Sequence, residues 1–326
     1  MRRSMFRLFL LGFAVGCFYI NGTVAHAEDL PSSAAVETAQ PSNPPPPTPY
    51  GFQQMVFDLK YVLKRPFNLD QQDGLWIGGT FAVAGTLFAY RENIRERVLD
   101  HQSEGMTNLL DDVSIMSKGA FAPALALAAY GTSFLTENDR EKETALLLIE
   151  SAALSQVGAF IGQTVIASER PPDTSVQLFH IGGHGFSGDA ALAASVVPPL
   201  RRQYLRVTGD DSTLTAVLKW AGTALLYGGA ALAAYQRVYS DSHWAPDAFL
   251  GMMTGLAVGE VLCEAHDKVD RERGGGAEAT SCHAWGDARR TNCERQILGR
   301  CSKPLGIRLL YQSIRGDGVV PYSDYP

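Results

Sequence analysis

Long apolar stretches separated by short polar breaks run through the middle of the chain, and their spacing is helical rather than strand-like. The first helix falls over about residues 52–65, where Met55, Val56, Leu59, Val62 and Leu63 recur on one helical face and mark a packing helix. Leu75–Tyr90 and Gly119–Leu135 follow without a charge. Thr144–Ala167 is mostly apolar but carries Glu150, Gln156 and Gln163. Ala190–Leu200 is short and ends in a double proline, Trp220–Tyr235 is rich in alanine and glycine, and Trp244–Cys263 carries Asp247 and Glu260. Small residues in these runs let helices approach closely. Before residue 300 the alternation expected of strands is nearly absent. The pattern predicts an all-α fold, a bundle of about six helices around a four-helix core, with a small C-terminal appendage.

The flanks read differently. Arg2, Arg3 and Arg7, then Leu8 to Ile20, then Ala25-His26-Ala27 have the order of an export signal over residues 1–27. Ala14-Val15-Gly16-Cys17 leaves a weaker lipoprotein reading open. Residues 28–50, with the run Pro44–Pro47, read as a stiff, extended tether. The helical domain spans 51–267 and a cysteine-containing tail 268–326, with Arg271–Gly276 as a linker and an alternating stretch at Gly306–Ile314. Export places the protein in the periplasm or cell envelope. There Cys263, Cys282, Cys293 and Cys301 can pair in three ways or stay as free thiols, and the sequence does not choose.

The 326 residues carry a net charge of −6, a pI near 5.7 and a mean hydropathy of −0.04. With no basic run, nucleic acid is not a partner, and a phosphate site has to be a local patch of positive potential. The uncharged runs are roughly 16–17 residues, at the lower limit of a membrane span. An exported domain associated with the membrane and a polytopic protein both fit.

Candidate chemistry begins where one apolar stretch breaks, at Arg237-Val-Tyr-Ser-Asp-Ser-His243-Trp-Ala-Pro-Asp247. On a helix, His243 and Asp247 share a face, and a carboxylate beside an imidazole fixes its tautomer. Arg237 supplies a planar fork for phosphate oxygens. Upstream lie Glu169-Arg170-Pro171 and Phe186-Ser187-Gly188-Asp189. Ser187 and Gly188 precede a predicted helix, whose first amides can hold an anion. Gln163 and Arg170, two helical turns apart, can face one cavity if the helix continues that far, although Pro171-Pro172 works against continuation.

Together these segments resemble the three-part signature of the type 2 phosphatidic acid phosphatase / vanadium haloperoxidase superfamily: K-x6-R-P, then P-S-G-H, then S-R-x5-H-x3-D. The chain departs from it at Gln163 for lysine, Phe186 for proline, Asp189 for histidine and Gln236 for serine. The resemblance implies that His243 attacks phosphorus and forms a phosphohistidine, that Asp247 orients it, and that Arg170 and Arg237 balance charge on the phosphoryl oxygens. Gln163, Ser187 and Gly188 complete the phosphate site. Asp189 takes the place of the family's general acid, and His184, in Gly182-Gly183-His184-Gly185, offers an alternative from a flexible loop. The implied substrate is a phosphorylated small molecule or lipid. The alternative is a weak or inactive relative that binds phosphate or lipid headgroups. A haloperoxidase would need the same cationic cage, which lacks a member, and a serine hydrolase built on Ser187 lacks the closing glycine of its elbow. His180 and His184 are weak evidence for metal in so glycine-rich a loop, and no metal or cofactor is assigned. Membrane members of the family carry their site on the external face. Spans at 75–90, 119–135 and 144–167 behind a cleaved signal would leave Arg170 on the other side, which favours the exported domain.

Overall fold

A computed structural model describes residues 51–283, with side chains described as far as Arg271. The expected signal peptide and tether, Cys293, Cys301, the Gly306–Ile314 stretch and the side chain of Cys282 lie outside the described residues. The chain divides into two units, at Val269/Asp270.

The all-α expectation holds: helices dominate the described residues, with one two-stranded hairpin. Helix α1, Phe52–Lys64, leads through a 3₁₀ turn to α2, Gln71–Ala89, whose start carries a reciprocal capping box between Asp70 and Asp73. Two short helices follow, α3 at Arg91–Asp100 and α4 at Glu104–Val113. After a 3₁₀ turn at Ser114–Ser117 comes α5, Phe121–Thr136, which a left-handed Glu137 ends. Asn138 then caps α6, Asp139–Val165. The hairpin pairs β1, Ile166–Ser168, with β2, Val176–Leu178, antiparallel. Helices α7, Gly188–Ser195, and α8, Val197–Tyr204, lead to α9, Thr213–Tyr239, and α10, Ala245–His283. Helix α10 runs through Arg271–Gly276, so the stretch expected to be a linker is helical, and the boundary between the two units falls just before it.

Short α7 is the axis of the bundle. Ala190, Ala191, Ala193 and Ala194 are fully buried, and α6, α9 and the Ser114–Ser117 turn pack around them. Helix α10 approaches through a ridge of glycines. A Cβ at Gly251 would collide with the Ser187 backbone, one at Gly255 with the Ala191 carbonyl, and one at Gly259 with Pro198. This contact seats the start of α7 directly on α10, and Ser187 is the residue at that start.

Two expectations change. The first concerns α1, whose buried residues are the polar Gln54 and Asp58, while Met55, Leu59 and Leu63 point outward. The second concerns the membrane. Asp139–Val165, Thr213–Tyr239 and Ala245–Arg271 are each 27 residues long and apolar enough to cross a bilayer. The pair Glu104–Ser117 and Phe121–Thr136, bent by 63°, makes a fourth if it is counted as one span. The uncharged runs were a poor guide, since Asp139–Val165 and Ala245–Arg271 carry Glu150 and Glu260 in their interior while the uncharged Leu75–Tyr90 is not among these helices. Leu135, Phe160, Leu214, Leu218 and Trp220 all face outward, which suits lipid rather than water.

Candidate active site

The C-terminal ends of α6 and α9 and the N-terminal ends of α7 and α10 lie together at one end of the bundle, and the three sequence segments converge there. Helix α6 stops at Val165, so Arg170 is not on it. Instead Arg170 follows β1, in the turn of the hairpin. Hydrogen bonds tie the segments to one another. Gln163 Nε2 donates to the Phe186 carbonyl at 2.7 Å, and Ser168 Oγ donates to Asp247 Oδ2 at 2.6 Å. The Ser187 amide donates to the Asp247 carbonyl at 3.0 Å, and Trp244 Nε1 donates to the Glu169 carbonyl at 3.0 Å. Arg237 Nη2 pairs with Asp189 Oδ2 at 3.2 Å.

His243 lies in the turn between α9 and α10. The Ser242 and His243 amides both donate to the Arg237 carbonyl. A bidentate ion pair from Arg95 to Asp241 at 2.7 Å anchors the turn to α3. The ring is buried, and its Nδ1 lies 3.1 Å from the His184 carbonyl oxygen. A carbonyl can only accept, so Nδ1 carries the hydrogen and the lone pair of the neutral ring is on Nε2. Asp247 is not what orients this ring. The helix begins at Ala245, so the one-turn relation between His243 and Asp247 does not apply, and the carboxylate turns to Ser168.

The loop that supplies the carbonyl is pinned. The His184 amide donates to the Ser168 carbonyl at 2.7 Å. A Cβ at Gly183 would overlap Ala167, and one at Gly185 would overlap the Ile166 carbonyl oxygen. These glycines allow close approach to β1, so the His184 backbone does not swing as a flexible loop would. Ser187 is fully buried, and its Oγ accepts from the Ala190 amide as an ordinary N-cap. Gly188 packs against Gln156, whose Nε2 donates to its carbonyl at 2.8 Å. Gln163 holds the second segment in place through its bond to Phe186. Arg237 Nε is buried without a hydrogen-bond partner, an open donor beside the ring.

Burial, then the charges of Arg237 and Arg170, push His243 down to about 4, and the bond to the His184 carbonyl works in the opposite direction. The ring is therefore neutral at physiological pH. A stability consequence follows. Between about 4 and the ordinary value of 6.5, the unfolded chain takes up a proton that the folded ring refuses. Stability is lost as pH falls through this window, by about 3 kcal/mol in all. Thermal unfolding at pH 7.5 and 4.5 will show a smaller acid destabilisation in His243→Gln than in the unsubstituted protein. Equal losses would mean that the ring is not buried among these cations.

Ser168 and Trp244 were not singled out in the sequence. Each stands next to a recognised segment, Ser168 just before Glu169-Arg170 and Trp244 just after His243, and that adjacency was the available signal.

No protein-family model matches the chain, and no curated protein matches it. Solved structures do. Aquifex aeolicus LpxE matches at 18% identity and a TM-score of 0.39, over 53% of this chain and 94% of its own. The first transmembrane PAP2 type phosphatidylglycerolphosphate phosphatase from Bacillus subtilis matches at 15% identity and a TM-score of 0.42, over 67% of this chain and 98% of its own. The functional reading rests on the side chains of the site.

Proposed function

We propose that the chain is a membrane-embedded phosphatase of the type 2 phosphatidic acid phosphatase kind, hydrolysing phosphate monoesters, with lipid phosphates as the substrate class. The observation that carries this reading is the His243 ring. It is buried and neutral, its Nε2 is unencumbered, and Arg170 and Arg237 lie close enough to lower its proton affinity.

In the proposed reaction, Nε2 attacks phosphorus in line with the ester oxygen. An N–P bond forms as the P–O bond breaks. The two guanidinium groups stabilise charge on the equatorial oxygens, the main source of help in phosphoryl transfer. The departing alkoxide takes a proton from Asp189 or from the half-exposed His184 side chain. Water then attacks phosphorus and returns a proton to the group that supplied one, and the N–P bond breaks, releasing phosphate and restoring the neutral ring. Exposed apolar helix faces beside the site favour a substrate with an acyl tail.

The alternative, a phosphate or headgroup binder without turnover, draws on one contact. Asp189 occupies a face of Arg237 that an anion would need. Two substitutions separate the readings. Asp189→Asn removes the competing carboxylate, so phosphate binding tightens about tenfold. If Asp189 is also the acid, turnover of a poor leaving group falls about 100-fold, while p-nitrophenyl phosphate, whose leaving group needs no proton, is spared. Phosphate release from short-chain phosphatidic acid in mixed micelles tests the reading as a whole. If the unsubstituted protein and His243→Ala release phosphate at one rate, the protein is a binder.

A further inference from the structure

A second ionisable cluster lies at the opposite end of the bundle, where the polar face of α1 meets α6 and α10. His266 is about 30 Å along α10 from its start near His243. Asp58, Glu150 and His266 come from three helices, and each brings one ligand atom within 4.8 Å of the others. Asp58 is 0% exposed, His266 1% and Glu150 8%. His266 Nε2 lies 3.0 Å from Asp58 Oδ2, and its Nδ1 lies 2.8 Å from Glu143 Oε1. Arg202 Nη1 donates to the same Glu143 oxygen at 2.8 Å. Gln54, one turn before Asp58 and fully buried, donates Nε2 to Asp58 Oδ1 at 2.8 Å.

Two acceptor atoms in this cluster are buried with no hydrogen-bond partner, Glu150 Oε2 and Gln54 Oε1. Orphaned acceptors at such depth are rare and costly. Arg202 and the Nδ1–H of His266 satisfy Glu143. Asp58 Oδ2 takes the second ring nitrogen at 3.0 Å, and Glu150 Oε2 is left with no donor. The point where His266, Asp58 and Glu150 converge is where a cation would meet an orphaned acceptor.

We propose that Asp58, Glu150 and His266 Nε2 bind one divalent cation of the Zn²⁺ class, with Gln54 Oε1 as a fourth donor. Two carboxylates neutralise the ion, and one imidazole with oxygen donors is a set that zinc accepts. Nδ1–H donating to Glu143 is the outer carboxylate that holds a ligating histidine in the right tautomer. The 3.0 Å between Nε2 and Asp58 Oδ2 approaches the edge, about 3.3 Å, of a tetrahedron of zinc ligands. Small side-chain rotations bring the other donors in. The ion clamps α1, whose outward apolar face cannot hold it to the bundle, onto α6 and α10.

The test uses tag-free, full-length protein in detergent, stripped with chelator and then titrated with Zn²⁺, and separately with Mn²⁺. The proposal expects about one tightly held zinc per chain by mass spectrometry, and an unfolding temperature raised by about 5–10 °C at a hundredfold excess over Kd. Glu150→Gln and His266→Asn lose both effects, and Glu143→Gln weakens zinc by about 10–100-fold. His243→Ala retains the zinc, which separates this ion from the phosphate site. If the folded protein takes up neither metal, or Glu150→Gln takes up zinc as well as the unsubstituted chain does, the proposal is overturned and a shared proton is the occupant. Should the variants fail to fold, Co²⁺ in the unsubstituted protein decides. A ligand-field spectrum of nitrogen and oxygen coordination supports the site, and a spectrum unchanged from aqueous Co²⁺ overturns it.

Discussion

His243→Ala will lower phosphate release from a lipid phosphate by at least about a thousandfold while leaving the helical fold intact. The size of the loss follows from the geometry. The ring is the buried nucleophile on which the charges of both arginines act, and water in its place has neither the nucleophilicity nor the fixed position. The fold survives because the surrounding loop does not depend on the ring. His184 stays pinned through its own amide to Ser168. A rapid quench during turnover of excess labelled substrate makes the test specific, since a small steady-state fraction of acid-labile, base-stable phosphoenzyme should appear in the unsubstituted protein and be missing from the variant. A variant that keeps both the rate and the phosphoenzyme removes His243 from the chemistry altogether.

A single methyl group at Gly185 will have the next largest effect. In Gly185→Ala the added carbon falls inside the Ile166 carbonyl oxygen, and no side-chain rotation can relieve a clash made by Cβ itself. The loop has to lift from β1. It takes the His184 carbonyl away from Nδ1, and the ring is free to turn or to change tautomer. Turnover should fall about 100-fold with KM little changed, and the unfolding temperature should drop by several degrees. The comparison that isolates the cause is His184→Ala, which removes the side chain and keeps the carbonyl. A loss below about tenfold there assigns the effect to the main chain. If His184→Ala is as damaging as Gly185→Ala, the His184 imidazole is the proton donor and the loop's aiming role is refuted.

The long helices and the convergence of Arg170, Asp189, Arg237 and His243 were legible in the sequence, because apolar runs and motif order survive without knowledge of the packing. Asp247 was misread for a local reason. The one-turn rule assumes a continuous helix, and this helix begins two residues after His243. The hairpin was invisible, since three-residue strands are too short to show alternation. The glycines around His184 were read as looseness, when what they provide is room for a close approach. Helix α1 was turned inside out. Periodicity says that a helix has two faces, and burial assigns the apolar one inward only where the surroundings are water. With apolar surface on the outside of the bundle as well, Gln54 and Asp58 went in and Leu59 went out.

That the ring's Nδ1–H rests on a peptide carbonyl rather than on an anion bears on which half of the proposed two-step reaction is slow. A carboxylate there would make the imidazole more basic, a stronger attacker and a reluctant leaving group. A neutral amide oxygen does the reverse: capture of the phosphoryl group is harder, and its surrender to water is easy. In such an enzyme the covalent intermediate drains faster than it fills, the resting population is the unmodified form, and the alcohol product emerges at a steady pace without an initial burst.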